Sequence, residues 1–133
     1  MRLRYLTAVV PFVGLLLLAA CSSSSDSGLV DTGWVLDTMD GQPPVEGSTL
    51  TLSLTADEAA GSSGCNTFRG GYTTSGDTIT FGDLASTMMA CSDPLNAQET
   101  SYLGALDSAT TFAVSGDQLT IQTGSGELVY SAA

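Results

Sequence analysis

Hydrophobic and polar residues alternate along several short segments of this chain, with the period of two that is typical of half-buried β-strands. The clearest segment is 49–55, where Leu50, Leu52 and Leu54 share one face and threonine or serine residues occupy the other. Similar patterns predict further strands at 33–38, 68–74, 78–81, 111–115, 118–123 and 127–131, whereas segment 59–63 has small residues and only a weak pattern. Segment 84–91 fits a strand or coil equally well, so its structure stays open at this point.

One segment has helical spacing instead. Asp93 is a good N-cap residue, and Pro94 suits the first helical position, where its missing N–H group costs nothing. Four apolar residues then recur on one helical face: Leu95, Tyr102, Leu103 and Leu106. Glycine-containing turns such as 75–77, 115–117 and 124–126 separate the strands on either side. Many short antiparallel strands with a single helix predict an α+β, mostly β domain of barrel or sandwich type.

The first residues have the pattern of an export signal. Arg2 and Arg4 precede an uncharged, leucine-rich run over 5–20, which is shorter than the about 20 residues that a permanent membrane helix needs. The run ends in Leu18-Ala19-Ala20-Cys21, which resembles the lipobox of bacterial lipoproteins. That resemblance implies cleavage before Cys21 and a lipid, including palmitate-type acyl chains, on its thiol. Two or more acyl chains would anchor the protein firmly to a membrane.

The remaining chain divides into a tether and one domain. Residues 22–28 are mostly serine and contain no apolar side chain, so we expect a flexible linker. The predicted organisation is a signal peptide over 1–20, a lipidated cysteine and tether over 21–28, and a single domain over 29–133. We expect a monomer in the cell envelope, facing outward from the cytoplasmic membrane, or on the outer membrane if the cell has one.

The charge of the chain limits its partners. Without the predicted signal, fourteen acidic residues stand against Arg69 alone, a formal charge of −13, and the chain has no lysine or histidine. Such a surface repels nucleic acids and anionic lipid headgroups, so neither is an expected partner. It suits solubility beside a membrane, a salty medium or a basic protein partner. Nothing in the composition indicates a cofactor.

Two cysteines remain for the folded domain, Cys65 and Cys91. Cysteines of a small exported domain usually pair, and Cys21 is assigned to the lipid, so we predict a disulfide between them. The alternative is a metal or redox site, but the chain has no C-x-x-C motif and no histidine to complete a zinc site.

The stretch 64–72, Gly-Cys-Asn-Thr-Phe-Arg-Gly-Gly-Tyr, combines glycine, aromatic and polar residues. Phe68 and Tyr72 should share a face with Gly70 between them, which leaves a gap for a neighbouring side chain. Asn66 is expected to bond to its own main chain and to tolerate a left-handed conformation. A ligand pocket formed by Asn66 and Arg69 is the functional alternative. Because Arg69 falls on the face opposite the aromatic residues, we predict that it is exposed and paired with a carboxylate.

This stretch, together with Leu-Ala-Ser-Thr-Met-Met-Ala-Cys at 84–91, resembles the META domain (HslJ-like) family. The matching motif residues, expected to be structural, are Trp34, Gly64, Asn66, Phe68, Gly70, Tyr72, Thr87 and Met89. Similarity extends over the helical motif at 99–106 and Gly116-Asp117-Gln118-Leu119, and so over nearly the whole domain. The resemblance implies a small open antiparallel β-barrel with one helix against it, associated with the bacterial envelope and its stress responses. The resemblance implies no particular catalytic activity, since no shared one is established for the family.

The residue types needed for catalysis are scarce. The chain has no histidine for acid–base chemistry and no lysine for a Schiff base, and no free thiol remains if Cys65 and Cys91 pair. Asp57 and Glu58 are adjacent carboxylates, but neighbours on a strand point in opposite directions, which argues against a glycosidase pair. Residues 37–41 lack the spaced ligands of a calcium loop. We therefore expect neither an enzyme nor a metal protein.

Two hypotheses for the function remain. The first is a non-catalytic envelope lipoprotein that acts as a structural or binding module in stress tolerance. The second is an acidic inhibitor of a basic hydrolase such as a lysozyme or protease. An exposed loop that presents carboxylates to a cationic cleft would favour the second.

Overall fold

A computed structural model describes Gly14 and residues 27–133 of the chain. The predicted signal, the predicted lipidation site Cys21 and most of the predicted tether lie outside the described residues. Residues 27–133 form nine strands and one helix. Their bounds are β1 Thr32–Met39, β2 Thr51–Leu54, β3 Glu58–Ser62, β4 Thr67–Ser75, β5 Thr78–Phe81, β6 Ala85–Ser86, α1 Asp93–Asp107, β7 Ala109–Ser115, β8 Gln118–Thr123 and β9 Glu127–Ala132.

Eight of these strands form a closed antiparallel barrel in the order β1-β2-β3-β4-β5-β7-β8-β9, with β9 paired back to β1. The predicted mostly β barrel with one helix is confirmed. Its only difference from the open barrel expected from the resemblance is the pairing of β3 with β4, which closes the sheet. The two-residue strand β6 pairs with β4 beside β5. Segment 84–91 is therefore a very short strand followed by a loop.

The alternation in sequence places the apolar face of each strand inside the barrel. Leu52 and Leu54 of β2 are buried, as are Ile79 and Phe81 of β5. The same rule fills the interior from the other strands, with Trp34, Leu36, Ala59, Phe68, Tyr72, Leu119, Ile121, Leu128 and Tyr130. Two-residue turns join β4 to β5 and β7 to β8, and their first residues, Gly76 and Gly116, have φ angles of 60° and 58°. Glycine adopts such angles without the strain of a side chain.

The helix begins one residue earlier than predicted. The carbonyl of Ser92 accepts the first helical hydrogen bond, from the N–H of Asn96 at 3.0 Å, so Ser92 and not Asp93 is the N-cap residue. Asp93 then lies in the first turn, where a negative charge is favourable to the helix dipole. Tyr102 and Leu106 are buried as expected, whereas Leu95 and Leu103 are half-buried.

Tyr102 attaches the helix to the barrel interior through a group that we call the interior cluster: the hydroxyls of Tyr102 and Tyr130 and the carbonyl of Thr51. The Tyr102 hydroxyl donates to the Thr51 carbonyl at 3.2 Å and lies 2.9 Å from the Tyr130 hydroxyl. The Tyr102 ring also packs edge-on against Phe68, with ring centres 5.8 Å apart. Burial raises the pKa of both tyrosines, so both stay neutral well above neutral pH.

Candidate functional site

A disulfide joins Cys65, at the turn before β4, to Cys91, just before the helix. The two Cα atoms are 6.0 Å apart, which confirms the predicted pairing. The bond closes a loop with a sequence separation of 26 residues, and a loop of that length should contribute roughly 3.5 kcal/mol by loss of chain entropy in the unfolded state. It holds the segment 87–91, which has no regular structure, against the barrel.

Asn66, beside this disulfide, fixes the same segment by hydrogen bonds. Its side-chain oxygen accepts from the Met89 N–H at 2.7 Å and from the Thr87 hydroxyl at 3.0 Å, and its amide group donates to the Met89 carbonyl at 3.2 Å. The left-handed conformation expected here belongs to Gly64, with φ of 87°, and not to Asn66. The expectation that Asn66 bonds to its own main chain was also wrong, since its side chain bonds across to the loop.

Glu99 of the helix completes this arrangement. One of its carboxylate oxygens accepts from the Asn66 amide at 3.0 Å, and the other accepts from the hydroxyl of Ser63 at 2.8 Å and that of Ser86 at 3.3 Å. We call Asn66, Glu99, Ser63, Ser86 and Thr87 the loop cluster. It connects the helix, the turn before β4 and the segment after β6.

A pocket of about 510 Å³ opens beside the loop cluster, and we call it the methionine pocket. Asn66 and Glu99 lie on its polar side, while Leu103, Met88 and Met89 supply apolar surface. The Met88 and Met89 residues are 95% and 64% exposed, which makes them the two most exposed large apolar residues in 27–133. The pocket thus combines one carboxylate with two exposed thioether side chains.

A second, larger groove of about 770 Å³ lies on the outer face of β2, β3, β4 and β6. Arg69 borders it, with a side chain that is 73% exposed and whose Nε atom lies 3.3 Å from a carboxylate oxygen of Glu58. This confirms the prediction of an exposed, paired arginine. Asn66 is buried and lines the methionine pocket, whereas Arg69 is exposed and borders this groove, so neither of the two pockets combines these residues.

The glycine and aromatic residues of the motif make the close contacts of the barrel. Between Phe68 and Tyr72, a side chain at Gly70 would come within 2.8 Å of the Leu84 Cδ2 atom. Leu84 is therefore the neighbour that fills the predicted gap. Gly64 has the same role against the helix, since a Cβ atom there would lie 2.8 Å from Gln98 Nε2. Trp34 is buried and donates its indole N–H to the Thr32 hydroxyl at 2.8 Å.

Two polar residues of the helix, Gln98 and Glu99, have structural roles that the sequence patterns did not predict. Gln98 is buried, donates to the Ser48 hydroxyl at 3.1 Å and accepts from the Val45 N–H at 2.7 Å, which ties the loop after β1 to the helix. Glu99 holds the loop cluster. Helical spacing could have indicated these roles, because Gln98 and Glu99 lie four and three residues before Tyr102 and so share its face of the helix. Polar residues on a buried helical face require partners.

The described residues limit the chemistry of the site. Across 27–133 no group of three or more histidine, cysteine, aspartate or glutamate side chains is placed to hold a metal ion. Asp57 is exposed, and Glu58 forms the ion pair with Arg69. No helix within the described part of the chain is long and apolar enough to span a membrane. What the site offers is a preorganised loop and a pocket with one carboxylate.

Comparisons with known proteins agree with this architecture. An NMR structure of a protein from Burkholderia xenovorans is 27% identical, with a TM-score of 0.64 over 100% of this chain and 98% of that one. A second NMR structure is also 27% identical, with a TM-score of 0.66 over 79% of this chain and 92% of the other. No protein of curated function matches the sequence significantly. The model of the META domain family matches residues 27–133, and the chain therefore belongs to the META domain family.

Proposed function

We propose that this protein is a non-catalytic lipoprotein of the bacterial cell envelope, in which the META domain is a binding module that contributes to stress tolerance. The lipid on Cys21 and the tether would hold the domain close to a membrane surface. The N-terminal sequence supports the anchor, because a basic start, a short apolar run and a lipobox-like ending precede Cys21.

The binding function is supported by the hydrogen bonds that the loop cluster forms. Asn66 binds both the N–H and the carbonyl of Met89, so that this side chain fixes the backbone of the loop. Glu99 accepts three hydrogen bonds from neutral donors and faces no histidine, since the chain has none. A rigid loop beside an open pocket suits the holding of a partner better than the transfer of protons.

Lipidation is tested by a Cys21→Ser variant, with Ser22→Ala as the matched control. We expect the wild type and the control to incorporate a clickable palmitate analogue and to sediment with membranes, and Cys21→Ser to do neither. If Cys21→Ser still sediments with membranes at high salt, the apolar run is a retained anchor and the lipoprotein proposal is wrong.

The non-catalytic character is tested by complementation of a deletion strain under envelope stress. Asp57→Asn and Glu58→Gln remove the adjacent carboxylates, and both variants should restore growth as well as the wild type. If a variant keeps the wild-type melting temperature but fails to restore growth, the carboxylate that it lacks is needed for function. That result would contradict the proposal of a non-catalytic role.

The second candidate, an inhibitor of a basic hydrolase, is supported by charge. Residues 27–133 carry thirteen acidic side chains against Arg69, a formal charge of −12, which favours encounter with cationic proteins. The exposed loop 87–91 presents Met88 and no carboxylate, so this candidate ranks second. Capture of one basic hydrolase from envelope extract, reversed by salt and accompanied by loss of the hydrolase activity, would promote it.

A further inference from the structure

The methionine pocket combines exposed apolar surface with a carboxylate. Met88 is 95% exposed and Met89 is 64% exposed, so neither contributes to the hydrophobic core. Leu103 is half-buried and packs against the core from the same pocket. Flexible, polarizable methionine side chains adapt to varied apolar surfaces and are over-represented at binding surfaces.

The carboxylate of Glu99 has acceptor positions to spare. An ionised carboxylate can accept about four hydrogen bonds, and Glu99 has three donors. Two of these are hydroxyls with one proton each and a second acceptor within reach: Ser63 lies 3.0 Å from the Asn66 carbonyl, and Ser86 lies 2.9 Å from the Thr87 carbonyl. The neutral donors therefore hold Glu99 in place without saturating it.

No cation within the described residues neutralises Glu99. Arg69 is the only basic side chain in 27–133, and it pairs with Glu58 on the outer face. A cation brought to Glu99 would form a charge-assisted hydrogen bond, which is about twice as strong as a neutral one. Because Glu99 is partly buried, solvent would screen that bond less than one at an open surface.

We propose, building on the binding function inferred above, that the methionine pocket is a docking site for a lysine or arginine side chain of a basic protein partner. The charged end of that side chain binds Glu99, and its methylene stem packs against Met89 and Leu103. Lysine and arginine have this division between an apolar stem and a charged end. The −12 charge of residues 27–133 attracts such a partner and repels acidic proteins.

Met88 favours a protein over a small free amine. Its side chain is almost fully exposed at the rim of the pocket, where it can contact residues that flank an inserted lysine or arginine. A small amine bound to Glu99 would leave Met88 in water.

The probe for this proposal is the peptide acetyl-Leu-Lys-Leu-amide, titrated into the full chain with its methionine methyl groups labelled with ¹³C. We expect the Met88 and Met89 signals to shift with increasing peptide, while Met39 of β1, outside this pocket, serves as the internal reference. The same peptide with an acetylated lysine should cause no shift. If both peptides shift the signals equally, the cationic group is not what the pocket recognises.

Three variants separate the pocket from the general charge. Glu99→Gln should weaken peptide binding by about tenfold or more, since hydrogen bonds to charged groups contribute about 1.5–3 kcal/mol. Asp107→Asn removes the same charge from the exposed end of the same helix and should bind as the wild type does. Met88→Ala, at a site too exposed to affect folding, should weaken binding about twofold to fivefold through lost apolar contact.

Each alternative result overturns the proposal. Equal weakening by Glu99→Gln and Asp107→Asn would mean diffuse attraction to the acidic surface, provided that both variants keep the wild-type melting temperature. Should Glu99→Gln fail to fold, unchanged binding by Met88→Ala would count against the site. Spermidine that shifts Met88 and Met89 as strongly as the peptide would indicate a small-amine site. None of these results alters the lipidation and complementation tests, so the two proposals fail independently.

Discussion

Helix α1 contributes to two polar clusters that differ in what surrounds them. In the interior cluster, the buried hydroxyls of Tyr102 and Tyr130 bond to each other, and that of Tyr102 also donates to the Thr51 carbonyl, so the group is neutral. In the loop cluster, Asn66 and Glu99 hold an irregular segment and border an open pocket. Both clusters join α1 to the barrel, yet only the second contains a charge and faces solvent.

This difference follows from the cost of an unsatisfied polar group. A buried hydroxyl without a partner costs about 1–3 kcal/mol, so the buried hydroxyls of the interior cluster must find their hydrogen-bond partners within the protein. A partly exposed carboxylate can have water in its remaining acceptor positions, and a partner can replace that water. The interior cluster therefore contributes to stability, whereas the loop cluster can also bind a partner.

The largest expected effect is on the loop cluster. Cys65→Ala removes the disulfide that holds loop 87–91 and should lower the free energy of unfolding by about 2–5 kcal/mol, measured by urea denaturation. Cys91→Ala and the double variant should behave alike, because all three lack the same bond. Mass spectrometry that finds two alkylatable thiols in the non-reduced wild type would contradict the disulfide itself.

The interior cluster is probed by Tyr102→Phe, which removes one hydroxyl and leaves the Thr51 carbonyl and Tyr130 without their partner. We expect a loss of about 1–3 kcal/mol in the free energy of unfolding, with peptide binding at the methionine pocket unchanged. A variant as stable as the wild type would mean that water or a small rearrangement replaces the lost bonds.

The interior cluster should also make the folded protein less stable at alkaline pH. Burial raises the pKa of Tyr102 and Tyr130 in the folded state, whereas unfolded tyrosines titrate near pH 10. Above about pH 10 the unfolded state loses protons that the folded state retains, so stability decreases by about 1.4 kcal/mol per pH unit for each tyrosine. Below that pH this contribution is constant. Urea denaturation from pH 8 to pH 11 should show the decline for the wild type and a smaller slope for Tyr102→Phe.

The smallest effect is expected for the exposed ion pair of the outer groove. Arg69→Gln breaks the ion pair with Glu58, and exposed pairs contribute at most about 1 kcal/mol, so the melting temperature should change only slightly. Peptide binding should be unaffected. Loss of binding in a folded Arg69→Gln protein would move the binding site to the outer groove.

The barrel could be predicted from the sequence because its determinants are local. The alternation around Leu50, Leu52 and Leu54 fixes which face is buried, and glycine turns fix the hairpins. Sheet closure through β3 and β4 was not predictable in this way, since it depends on how far the sheet coils. The loop cluster was missed for a similar reason: the partners of Asn66 lie more than twenty residues away, and no local pattern indicates them.

The seam between β1 and β9 has a consequence for the order in which the protein folds. Hairpins such as β4–β5 and β7–β8 need only neighbouring residues, whereas the seam pairs Trp34 with Ala132, so it must close a loop of nearly the whole domain. Contacts at such sequence separation slow folding. A nascent chain that ends before β9 would leave β1 and β8 each with an unpaired edge, and unpaired edges promote association between chains. These two edges are therefore protected from aggregation only once β9 has been synthesised.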